Sequence, residues 1–145
     1  MKNLKTITLA LLATAAVSAQ DVKTNQVPAN LNNNFAQAYP NATNVEWEME
    51  EMNYKVEFDL GKMDHEVWYS KTGSIVKTEF EILKTDVPAA VAATVQSKYP
   101  KYKIDEIEMT EENGKKTYEV ELEKWFGKDK KLVIAEDGTF ISERT

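Results

Sequence analysis

The sequence predicts an α+β fold: two tandem units, each a helix followed by three or four antiparallel strands, sharing one sheet. Three observations predict it. The chain repeats itself in order, each repeat opens with a short helix framed by prolines, and the rest alternates apolar and charged residues with period two.

The repeat is read from matched positions. Val27-Pro28-Ala29 returns as Val87-Pro88-Ala89 and Tyr39-Pro40 as Tyr99-Pro100. Glu46, Glu48 and Met49 return as Glu106, Glu108 and Met109; further on, Tyr54, Val56 and Glu57 match Tyr118, Val120 and Glu121, and Gly73 matches Gly138. The spacing between partners only grows along the chain, and only where a loop is expected, as hairpin insertions in a duplicated unit would produce. Residues 1–19 read as a leader, 20–26 as an N-terminal segment, 27–82 as the first repeat and 87–145 as the second. The join over 82–86 has no Gly or Pro, so the halves should pack tightly.

Each helix begins at Pro28 or Pro88, where a missing N–H costs nothing. Asp86 is the expected cap for the second. Leu31, Phe35, Ala38 and Tyr39 fall at helical spacing, with Val91, Val95, Lys98 and Tyr99 in the same places, which gives one buried stripe per helix. Pro40 and Pro100 end them, since the residue before proline is pushed out of the helical region. Strands follow. Val45, Trp47 and Met49 alternate with glutamates, as do Tyr54, Val56 and Phe58 with Lys55, Glu57 and Asp59; Tyr118, Val120 and Leu122 repeat the pattern. Two further runs in each half flank Thr72-Gly73 and Asp137-Gly138, which are hairpin signals.

Residues 1–19 have Lys2 and Lys5, an apolar run from Ile7 to Val17, and Val17-Ser18-Ala19 at the cleavage position. This is the layout of a secretory signal peptide cut after Ala19, implying a periplasmic or secreted protein that does not span the membrane. The chain of 145 residues has 24 acidic and 18 basic side chains, a net charge of −6. That balance argues against nucleic acid. With no cysteine and one histidine, thiol chemistry and most metal and triad schemes lack their parts. No Gly-x-Ser-x-Gly elbow and no phosphate-cradling glycine loop occur. The reading is therefore not an enzyme, with no cofactor, no metal site and no catalytic residue. His65, beside Asp64 and Glu66, reads as a solvated hairpin turn.

Signal, Val-Pro, amphipathic helix, Tyr-Pro, acidic alternating strand and closing Gly hairpin, written twice over residues 27–82 and 87–143, resemble the small secreted bacterial PepSY-like, beta-lactamase-inhibitor-like proteins. The resemblance implies that the two units form one curved sheet with the helices on its convex side. Related folds grip another protein with the concave side.

Alternation sorts the faces. Trp47, Tyr54, Val56, Phe58, Val67, Tyr69, Ile107, Tyr118, Val120, Leu122, Leu132 and Ile134 should face the helices. The other face carries mostly acids, with Trp68 among them. An apolar centre in a charged rim suits an interface, although a one-residue slip of register would exchange the faces. The candidate partner-binding residues are Trp68, Glu48, Glu57, Asp59, Glu66, Glu119 and Glu121, with Trp125 and Phe126 as either a lip of the same groove or a cap on the core. The function expected is an exported non-catalytic binding module, inhibitor-like by the resemblance, whose acidic face grips a protein or peptide in the cell envelope. A plain solvated face that resists aggregation is the bland alternative; a calcium- or cation-binding envelope protein is another, and a small hydrolase using paired carboxylates a third.

Overall fold

The computed structural model describes residues 20–145; the expected signal peptide lies outside the described residues. In chain order the elements are strand β1 (Gln20–Asp21), helix α1 (Ala29–Ala38), strands β2 (Thr43–Glu50), β3 (Asn53–Leu60), β4 (Met63–Tyr69) and β5 (Ile75–Glu81), helix α2 (Ala89–Lys98), and strands β6 (Lys103–Glu112), β7 (Lys115–Glu123), β8 (Lys130–Ala135) and β9 (Phe140–Arg144). All nine strands pair antiparallel with their sequence neighbours in one sheet, in the order β1 to β9.

This corrects the expected fold class of two helix-plus-strand units on a curved sheet. The described residues are mostly sheet, and the two helices among them are short additions. The physical reason lies in the prolines. Pro28 caps α1, and Tyr39-Pro40 ends it after ten residues; Pro88 and Tyr99-Pro100 do the same to α2. Across the middle there is no seam either. Strand β5 pairs with β6 from Lys77↔Glu112 to Glu81↔Glu108, so the ladder runs through the join.

The sheet also gains a strand that alternation could not reveal. Gln20 and Asp21 pair with Met49 and Glu48, and Phe80 and Glu81 pair with Met109 and Glu108. Both strands lead through a 3-10 turn, Thr24–Gln26 or Lys84–Asp86, into the helix that follows. Two residues are too few to show a period.

Both helices lie on one face of the sheet. Leu31 and Phe35 of α1 bury against Trp47, Val56, Phe58, Val67 and Tyr69. Val91 and Val95 of α2 bury against Ile107, Tyr118, Val120, Leu122, Leu132 and Ile134. Phe35 meets Trp47 and Phe58 edge-on, with ring centroids 5.6 and 4.9 Å apart, a favoured aromatic geometry. The closing hairpins tuck under the helix starts. At Gly138, with φ +87°, a Cβ would sit 2.8 Å from the Ala90 carbonyl oxygen, and Thr94 Oγ1 donates to the Gly138 carbonyl at 2.7 Å. Asn113 and Gly114 both have positive φ, as the tight hairpin between β6 and β7 requires.

Candidate functional site

The helix-free face follows from register, because residues opposite each other on neighbouring strands point the same way. Trp68 lies opposite Lys55 on β3 and Lys77 on β5. It therefore sits on the helix-free face, and it is not exposed there: only 7% of its surface meets solvent. Lys77 Nζ stands 4.0 Å from its ring centroid and Lys55 Nζ 5.3 Å, while its indole N–H donates to Glu50 Oε2 at 2.9 Å. The ring is roofed by two lysine stems and held at its edge by a carboxylate.

Beside this row runs a ladder of acids. Glu57 faces Glu66, and Glu66 faces Glu79. One step along, Asp59 faces Asp64, and the Asp64 N–H donates to Glu81 Oε2 at 3.3 Å. Glu81 faces Glu108, and Glu108 faces Glu119. Carboxylates thus stand side by side on five successive strands, β3 to β7, with strands about 4.8 Å apart.

The basic groups cover the flanks of this ladder. Lys55 reaches Glu57 and, at 3.1 Å, Glu66. Lys77 pairs with Glu79 at 2.9 Å. Lys131 contacts Glu119 at 3.3 Å and also Glu121, and Arg144 reaches Glu119 at 2.7 Å. Among the described residues, Asp64, Glu81 and Glu108 have no ion-pair partner. Burial pushes the Glu108 carboxyl up to about 8, with Glu79 and Glu119 adding repulsion. Burial likewise raises Glu66 to about 7, against the pull of Lys55. Glu48, Asp64 and Glu106 are raised by burial first and then by neighbouring carboxylates. Burial works against the charge on Lys55, yet Glu57 and Glu66 hold it and push it up to about 12. At neutral pH Glu108 retains its proton, which an incoming cation would displace.

The residues expected in the site separate into three groups. Glu48, Glu57, Asp59, Glu66 and Trp68 lie together on β2 to β4, and Glu48 faces Lys55. Glu119 and Glu121 lie on the same face of β7 beside Lys131, with β5 and β6 between them and the first group. Trp125 and Phe126 are in neither group. They follow the end of β7 in an exposed loop, 90% and 81% accessible, and so do not cap the core. The residues not singled out from sequence are Lys77, Glu79 and Glu81 of β5 and the central Glu108. The signal was there for β5, since Lys77, Glu79 and Glu81 alternate with Thr78 and Phe80. His65 is not in a turn: it lies within β4, its ring between Phe58 and Phe80 at 5.4 and 4.9 Å.

Among the described residues no cluster of three or more His, Asp or Glu is arranged to hold a metal ion. A shallow depression of about 280 Å³ lies between α2 and the last hairpin, lined by Ala93, Thr94, Ser97, Lys98, Gly138 and Phe140. Its only serine has no histidine near it, so the lining does not assemble a nucleophile and base.

Matches to a family model over residues 15–77 and 53–142 place the chain in the PepSY-like family, described as putative beta-lactamase-inhibitor-like; the chain belongs to this family. Comparison with curated proteins gives no match. Among solved structures the fold resembles a DUF2874 family protein from Bacteroides uniformis, 20% identical, with TM-score 0.65 over 81% of this chain and 88% of that one. It also resembles a BLIP-like protein from Bacteroides fragilis, 24% identical, with TM-score 0.61 over 81% and 84%. A third is named as a putative periplasmic protein from Bacteroides eggerthii, 15% identical, with TM-score 0.65 over 81% and 87%.

Proposed function

We propose that this protein is an exported, non-catalytic binding module whose helix-free face grips a basic protein or peptide segment. The observation that carries this reading is the run Asp64–Glu81–Glu108, three neighbouring carboxylates without an ion-pair partner at the centre of an uncovered sheet face. Such a row stores repulsion in the free protein. A lysine or arginine laid across it relieves that repulsion and lets Glu108 ionise, so charge pairing is stronger here than at isolated surface acids. The flanking lysines, already held by Glu57, Glu66, Glu79 and Glu121, set the register of an incoming chain and reject acidic partners.

Several observations support the rest of the reading. The leader over 1–19 and the periplasmic protein among the structural neighbours favour export, to the periplasm or beyond. Family membership and the BLIP-like neighbour favour binding, with occlusion of the partner as its means. The matching pairs made by Gln20-Asp21 and Phe80-Glu81 favour a tandem repeat over 27–82 and 87–145.

The test is retention of a partner from the host's envelope fraction by wild type and by the triple variant Asp64→Asn, Glu81→Gln, Glu108→Gln. The expected result is a specific protein held by wild type at low salt, released as salt rises, and not held by the folded variant. Equal retention by both, or retention insensitive to salt, would overturn the reading.

A further inference from the structure

We infer that the loop between β7 and β8 is a docking finger for an anionic phospholipid surface. The inference is independent of the acidic face, because it concerns another part of the molecule.

The loop is an addition to the framework. In the first half, β3 and β4 are joined by Gly61-Lys62 alone, and Leu60 pairs with Met63. In the second half, Leu122 pairs with Lys130, and the chain between β7 and β8 carries Lys124-Trp125-Phe126-Gly127-Lys128-Asp129. Every one of these six residues is exposed. Closing the hairpin does not need them, and the core does not use them. The Trp125 and Phe126 rings meet each other edge-on at 6.3 Å, while water covers the rest. Two large aromatic side chains held in water at a loop tip lose the burial that such residues ordinarily gain.

Local charge favours the occupant. The whole chain is acidic, but at this end three lysines outside the ion pairs, Lys103, Lys124 and Lys128, stand against two acids, Glu123 and Asp129. Lys124 and Lys128 flank the aromatic pair. Lys103 stands opposite Glu123 at the root of the loop, and Lys124 Nζ is 5.4 Å from the ring of Tyr102. Lys130 and Lys131 are already engaged, by Glu143 and by Glu119 and Glu121. Glu123 and Asp129 are the acids on the loop itself. A protruding aromatic pair has no preformed pocket to accept a partner side chain, whereas it can enter a soft interface. Tryptophan and phenylalanine settle at the headgroup boundary, and neighbouring lysines meet lipid phosphates. No described helix is long and apolar enough to cross a membrane. One finger gives weak, reversible attachment, oriented by the loop.

The experiment measures binding to vesicles of phosphatidylglycerol and phosphatidylcholine, and to phosphatidylcholine alone, with brominated acyl chains as quenchers. The full-length protein is used. Residues 1–19 contain no tryptophan. Trp47 and Trp68 are 3% and 7% exposed, so quenching reports Trp125. The expected result is a blue shift and quenching on anionic vesicles, lost in Trp125→Ser/Phe126→Ser. In Lys124→Gln/Lys128→Gln affinity should fall by roughly fivefold for each lysine. The triple variant of the acidic face should bind vesicles as wild type does, separating this inference from the proposed function. Absence of quenching, equal binding to neutral vesicles, or sedimentation of the aromatic variant that matches wild type in both extent and lipid dependence would overturn it.

Discussion

Replacing Glu108 by Gln should stabilise the protein at alkaline pH and leave it unchanged at acid pH. Glu108 is half-buried between Glu81 and Glu119, and its carboxyl is pushed up from 4.5 to about 8 by burial first and then by Glu79 and Glu119. The folded state therefore holds a proton that the unfolded state releases. Stability is greatest where the group is neutral in both states, below about pH 4.5, and falls as pH rises until it levels off above about 8. Full linkage over that interval sets a ceiling of about 5 kcal/mol. Glu108 keeps partial contact with water, and screening brings the expected effect to about 1–2 kcal/mol. For a domain of this size that is a rise in Tm of roughly 3–10 °C at pH 8.5. Glutamine has the shape of the protonated acid and never ionises. Thermal melts of both proteins at pH 5 and 8.5 test this. A Tm for Glu108→Gln at or below wild type at pH 8.5 would refute the reasoning, as would a wild-type Tm that does not rise on acidification to pH 5.

Other substitutions probe the same frame. Trp68→Ala removes a ring roofed by Lys55 and Lys77 and should cost about 3 kcal/mol in urea unfolding, the low end for a large aromatic because flexible lysine stems can close part of the gap. Lys55→Met leaves Glu57 and Glu66 facing each other without their shared cation, and should lower Tm more at pH 8 than at pH 5. Gly138→Ala should cost about 2 kcal/mol or more by chemical denaturation, because φ is +87° and the new Cβ meets the Ala90 carbonyl. Gly61→Ala, in open space at φ +70°, should cost about 1 kcal/mol, the backbone term alone. Trp125→Ser/Phe126→Ser should shift unfolding by no more than about 0.5 kcal/mol, since neither ring is buried.

Much of the sheet was legible because antiparallel strands with one covered face write their orientation into the sequence. Val56 and Phe58 go to the helices while Lys55 and Glu57 go to the other side, and the prolines at 28, 40, 88 and 100 bracket the helices. What alternation cannot carry is the weight of sheet against helix, or a two-residue edge strand such as β1. Nor does it say what neighbours do across strands. Trp68 reads as an apolar spot on a charged face, but the lysines that cover it come from β3 and β5, distant choices that only register brings together. The same holds for the acids. Glu81, Glu108 and Glu119 are far apart in sequence, and their contiguity is a product of the β5–β6 pairing across the middle of the chain. The exposure of Trp125 and Phe126 was undecided in the sequence, because a Trp-Phe pair in a hairpin suits a core cap as well as a surface loop.

The central claim is that the unpartnered carboxylates of the helix-free face receive a basic chain. Amide chemical shifts followed during titration with a short lysine-rich peptide, and with an acidic peptide as control, test it most directly. The account predicts shifts centred on Asp64, Glu81 and Glu108 and their neighbours on β4 to β6, produced by the basic peptide alone and lost by about 0.5 M salt. Shifts confined to the β7–β8 loop or the helices, or none with the basic peptide, would contradict it.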